Sequence, residues 1–218
     1  MVRKAKTVWA SRLLAAVIIA ALAMAAGLWS AKLLLRNEPD LTGLDATRFP
    51  SPRQIPAFNL IDHNNKPFTN TSLHGNWSFL FFGYTHCPDV CPTTLSVLNS
   101  VAQRFQDTAD NIRFIFISVD PERDTPESLA RFVAYFNGEF IGVTGSNAAL
   151  EQFTRELGIM YLKVQPGDDA TGYLMDHTAS VLLFDPDGRY HAVFSPPLSA
   201  ETITSDFRRM LQAYREAQ

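Results

Sequence analysis

Two apolar runs, Trp77 to Tyr84 (WSFLFFGY) and Arg113 to Val119 (RFIFISV), constrain most what this chain can fold into. A strand with one wet face alternates apolar and polar residues. These runs are nearly continuous and so read as strands buried on both faces of a sheet. Between them Leu95, Leu98, Ala102 and Phe105 recur at helical spacing through Thr93 to Gln106. Strand, helix, strand with both strands buried requires a right-handed parallel crossover, so the class is α/β.

The remaining segments fit one domain. Thr125 before Pro126 reads as a helix cap, and Asn147 to Leu157 as a helix closed by Gly158. Ser180 to Asp185 and Tyr190 to Ser195 flank Pro186-Asp187-Gly188, a turn signal for an antiparallel pair, and Ser199 caps a last helix. With 46% hydrophobic and 19% charged residues, disordered and low-complexity classes are excluded.

The N-terminus differs from the rest. Leu13 to Ala31 carries no charge and offers 19 mostly apolar positions, close to the ~20 a helix needs to span a bilayer. Arg3, Lys4, Lys6 and Arg12 precede it and would stay in the cytoplasm, sending everything after it to the far side. The expected organisation is a basic cytoplasmic segment over 1–12, a transmembrane anchor over 13–31, a Pro- and Gly-bearing linker over 32–53 and a folded domain over 54–218. A cleaved signal peptide is the alternative, because Ala21-Leu22-Ala23 and Ala23-Met24-Ala25 resemble cleavage sites. Six of the 19 basic residues precede Glu38, leaving 13 against 22 acids, a net of about -9 beyond it. That balance argues against nucleic acid as a partner.

Both cysteines lie in His86-Cys87-Pro88-Asp89-Val90-Cys91-Pro92, where the first buried strand ends and the next helix starts. A helix N-terminus favours thiolate, making such a pair nucleophilic and metal-binding. Three intervening residues allow either a disulfide or two sulfurs on one ion. Two thiolates alone rarely satisfy a metal, so a third ligand should come from elsewhere in the chain, and the histidines are the candidates. His63, His74 and His191 read as surface residues, and His86 adjoins Cys87 on the turn. His177, in a loop running into the strand at Ser180, can be held against the first helix turn. From these residues alone, a structural histidine remains the competing reading for His177.

Three motifs in order, Phe82 to Pro92, Ser118-Val119-Asp120-Pro121-Glu122-Arg123-Asp124-Thr125-Pro126, and Asp176-His177-Thr178, closely resemble the SCO/SenC family of copper-binding cytochrome oxidase assembly proteins. The resemblance covers roughly residues 54–214 and implies a membrane-anchored, thioredoxin-like domain with a central mixed sheet flanked by helices. It further implies that Cys87, Cys91 and His177 are copper ligands. Asp120 and Asp124 match family positions near the site. Their alternative reading is a loop turn and a surface acid before the Thr125 cap, preferred for Asp124.

Copper suits the donor set, since thiolates favour copper(I), whereas zinc would want a fourth donor. The leading expectation is a copper metallochaperone of the inner membrane, facing the periplasm. Its partner would be the copper-bearing subunit of a respiratory cytochrome c oxidase, with another exported copper chaperone as a candidate source. The alternative is an exported thiol-disulfide oxidoreductase using Cys87 and Cys91 as catalytic residues. The usual Cys-x-x-Cys of such enzymes is one residue shorter than this loop.

Overall fold

The computed structural model describes residues 3–34, 41–165 and 172–217, with side chains of the first helix described over 14–30. In chain order the elements are α1 (Arg3–Leu34), β1 (Thr47–Arg53), β2 (Asn59–Asp62), β3 (Pro67–Thr69), α2 (Asn70–Leu73), β4 (Trp77–Gly83), α3 (Val90–Gln103) and β5 (Ile112–Ser118). They continue with α4 (Pro126–Phe136), β6 (Ile141–Thr144), α5 (Asn147–Leu157), β7 (Tyr161–Val164), β8 (Leu174–His177), β9 (Val181–Phe184), β10 (Tyr190–Phe194) and α6 (Ala200–Ala217). Residues 1–40, with 212–218, form one unit and 41–211 another.

In α1 the apolar side chains Leu14, Val17, Ile18, Ile19, Leu22, Met24, Leu28 and Trp29 are all exposed. Among the described residues, no helix is long and apolar enough to cross a membrane.

Eight strands form one mixed sheet in the order β1-β10-β9-β4-β5-β6-β2-β3. The expected crossover is present: β4 and β5 pair in parallel along their full length, joined through α3, and β5 pairs in parallel with β6. Every residue of β4 is buried, as its unbroken apolar run requires. Its alternate side chains serve two layers. Phe79 meets Phe207 of α6 edge-on at 5.0 Å, and Phe82 reaches Phe153 of α5 at 6.0 Å. Helices thus flank the sheet, and the architecture is mixed α/β.

Three local expectations change. Residues 47–53, read as the end of the linker, form edge strand β1 against β10. The pairing slips between Arg48 and Arg53, which is how the ladder tolerates Pro50 and Pro52. Residues 174–177, read as a loop, form β8, which pairs only with β7 in a separate two-stranded sheet. His191 is no surface residue. It is buried on β10, edge-on to Trp77 at 5.1 Å, on the sheet face where Trp77 in turn packs against Phe207 of α6.

Candidate metal centre

At the C-terminal end of β4 the chain turns through Tyr84 to Asp89 before α3 begins at Val90. Cys87 sits in that turn and is half-buried, whereas Cys91, in the first turn of α3, is fully buried. Both are free thiols. The opening amides of α3 lack intrahelical acceptors, and one of them, Cys91 N–H, donates to Cys87 Sγ at 3.4 Å. The sequence expectation that a helix N-terminus faces these sulfurs is met for Cys87. Glycine at position 83 makes the packing feasible, since a Cβ there would lie 2.6 Å from Cys91 Sγ.

His177 ends β8 and brings its Nε2 to 3.4 Å from Cys91 Sγ across 86 residues of sequence. Its Nδ1 lies 3.2 Å from Thr178 O. A carbonyl can only accept, so this contact places the proton on Nδ1 and leaves the Nε2 lone pair facing the thiols. Phe81 and Tyr84 wall the imidazole, each with a ring centroid 6.0 Å away. One ligand atom each from Cys87, Cys91 and His177 lies within 4.8 Å of the other two, and this is the group among the described residues able to hold a metal ion.

The two thiols are electrostatically unequal. Cys87 is held far below the ordinary thiol value, chiefly by the Cys91 thiol donating to it, with backbone amides of Cys91 and Asp89 adding to the effect against burial. Cys91 moves the other way, because it supplies that proton and because it is buried. The arrangement thus favours thiolate on Cys87, the more accessible sulfur, over Cys91.

The remaining histidines stand apart. His86 is exposed, its Nδ1 3.0 Å from Thr85 Oγ1. His63 Nδ1 accepts from Gly142 N–H at 2.8 Å, a structural contact, and His74 is exposed. Asp176 is exposed and does not orient His177, as alternation along β8 dictates.

Asp124, preferred as a surface acid, is instead 1% exposed. It accepts from Thr85 N–H at 2.9 Å, Thr85 Oγ1 at 2.5 Å and Ser118 Oγ at 2.6 Å, anchoring the turn that leads into Cys87. Asp120 is equally buried and binds Arg123 and Tyr173. Tyr173 and Arg123 escaped the sequence reading as contributors to the site. Arg123 lies in the Asp-x-x-Arg-Asp run of residues 120–124, one of the three motifs that carry the family resemblance, and that run is the signal that points to it.

Residues 47–212 match the family described as SCO1/SenC. The mitochondrial SCO2 homolog of Bos taurus is 36% identical over 196 residues, covering 87% of this chain and 73% of that protein. Among solved structures, Bradyrhizobium japonicum ScoI with copper bound is 39% identical with a TM-score of 0.64, covering 71% of this chain and 98% of that one. Arabidopsis thaliana ScoI with copper bound is 31% identical with a TM-score of 0.68, covering 72% and 98%.

Proposed function

The chain belongs to the SCO1/SenC family, and from that premise we propose that it binds copper through Cys87, Cys91 and His177 and delivers it to the dinuclear copper centre of a respiratory cytochrome c oxidase. The observation that carries this reading is the convergence of two sulfurs and one unprotonated imidazole nitrogen from three separate segments. Two thiols and an imidazole are a soft donor set suited to copper(I), and three donors leave a position open for a receiving ligand. Copper is here the cargo. Cys87 offers a ready thiolate, Cys91 gives up its proton as the ion arrives, and the protein must be reduced, because a disulfide has no thiolate to offer.

Attachment to the inner membrane through residues 13–31, with the domain facing the periplasm, belongs to the same proposal. The apolar side chains exposed along α1 support it, since a helix apolar all round needs an apolar environment. Resistance of the full chain to alkaline extraction from membranes tests it, and release into the supernatant would overturn it.

A second reading has an observation of its own. A half-buried, low-pKa Cys87 backed by a buried Cys91 is also the arrangement of an attacking and a resolving thiol. His177→Ala separates the two readings. A chaperone loses copper affinity by at least about tenfold, while reduction of a model disulfide changes little, since Cys87 is activated chiefly by Cys91. Unchanged affinity with collapsed exchange would favour the oxidoreductase.

A further inference from the structure

The hairpin that carries His177 has few backbone ties. β7 and β8 form no ladder with the main sheet, and a lone two-stranded hairpin is marginal in water. One end is closed by Thr178 N–H donating to Met160 O at 2.9 Å and Met160 N–H donating to Thr178 Oγ1 at 3.0 Å. The other end, where the chain enters β8, is held by side chains.

Tyr173, immediately before β8, is gripped at both its backbone and its ring. Its hydroxyl donates to Asp120 Oδ1 at 2.7 Å, and its carbonyl accepts from Arg123 Nη1 at 2.9 Å. The Arg123 guanidinium lies 3.7 Å from its ring centroid and Lys163 Nζ 3.8 Å. Asp120 accepts from Arg123 Nε, and Glu122 pairs with Lys163 at 2.7 Å. The cluster thus balances two cations with two carboxylates, and Asp120 is 2% exposed. Cation–π contacts strengthen as water is excluded. Arg123 also lies 5.6 Å from the ring of Tyr84, the residue standing edge-on to the His177 imidazole. One guanidinium therefore braces the entry of β8 and the aromatic wall of the site together.

We propose that Arg123, Asp120 and Tyr173 form a latch that sets His177 against the two thiols, so that residues touching no metal govern how strongly the imidazole contributes to copper binding. Four residues of extended chain, about 13 Å at ~3.3 Å each, carry that restraint from Tyr173 to His177. The inference rests on copper ligation by His177. The three are positioning residues, and their effect must vanish when the imidazole is gone.

The test is a double-mutant cycle on the full chain in detergent. Copper(I) affinity is measured by anaerobic competition, and nitrogen hyperfine coupling is read from the copper(II) EPR spectrum. Tyr173→Leu is expected to weaken copper about tenfold, as loss of a supporting partner does, and to reduce the hyperfine coupling. In a His177→Ala background the same change should cost less than about twofold, the mark of two residues acting as one. Tyr173→Phe keeps the ring between the cations but drops the bond to Asp120, so it should lose less. It also decides the matter if Tyr173→Leu does not fold. Unchanged affinity in His177→Ala would refute the ligand assignment itself. Weakening by His177→Ala with no effect of either Tyr173 variant, or losses that simply add, would overturn the latch.

Discussion

Gly83→Ala puts one methyl group into the floor of the site. The new Cβ would stand 2.6 Å from Cys91 Sγ, 2.9 Å from Phe116 Cε2 and 3.3 Å from Phe116 Cζ, where ordinary contact begins near 3.4 Å. Phe116 has little room to yield, being 1% exposed and wedged between Phe81 and Phe132, with centroids at 6.1 and 5.2 Å. The sulfur must therefore retreat by about 0.8 Å, out of the converging donor set. Overpacking of this kind costs about 1–3 kcal/mol. At roughly 2–4 °C per kcal/mol for a domain of this size, Tm should fall by about 2–12 °C. Copper affinity should drop about 10–100-fold, the range for disturbing a metal site from its surroundings. Gly145→Ala is the control, because its Cβ would meet Leu60 Cδ2 at 2.6 Å, outside the copper site. It should lower Tm and leave copper binding intact. Calorimetry and anaerobic competition on both variants form the assay. Wild-type copper affinity in Gly83→Ala would refute the packing argument.

Two further predictions follow from charge. Cys87, held by the Cys91 thiol at a value lowered to about 4, should alkylate with iodoacetamide at a rate nearly flat from pH 6 to 8. A rate rising through an inflection near the ordinary thiol value of about 8.5 would contradict this. Asp185 is fully buried and accepts from Arg189 Nε at 2.9 Å and Arg189 N–H at 3.0 Å. Burial opposes its charge, yet His191 and Arg189 outweigh burial and hold it below the ordinary carboxylate value. A depressed folded value means its stabilisation is complete above the unfolded value of about 3.9 and is lost as pH falls below it. Asp185→Asn should cost about 1–3 kcal/mol at pH 7, with the gap in urea midpoint from wild type narrowing below about pH 4. A gap independent of pH would remove the charge from the explanation.

What was legible in the sequence is what short-range physics controls. β4 and β5 announced themselves as unbroken apolar runs, α5 by the Gly158 that closes it, and the β9–β10 pair by its Pro-Asp-Gly turn. β1 was hidden by Pro50 and Pro52, which are tolerated only because it is an irregular edge strand. The hairpin of β7 and β8 was hidden because its strands are four residues each and belong to no larger sheet. At the site, the placement of Cys87 before a helix could be read locally. The approach of His177 to Cys91 spans 86 residues and no spacing rule predicts it, so it came through resemblance. Asp124 was misread for a similar reason. Thr85, which it holds, is 39 residues away, and nothing beside Asp124 in sequence marks it as buried.

The central claim is that the reduced Cys87–Cys91 pair, with His177, is the copper site. Anaerobic copper(I) titration of the full chain, once with free thiols and once with the pair oxidised to a disulfide, tests it most directly. The account predicts about one equivalent for the reduced protein and none for the oxidised, because only thiolate sulfurs bind the ion. Equal binding by both forms would contradict it.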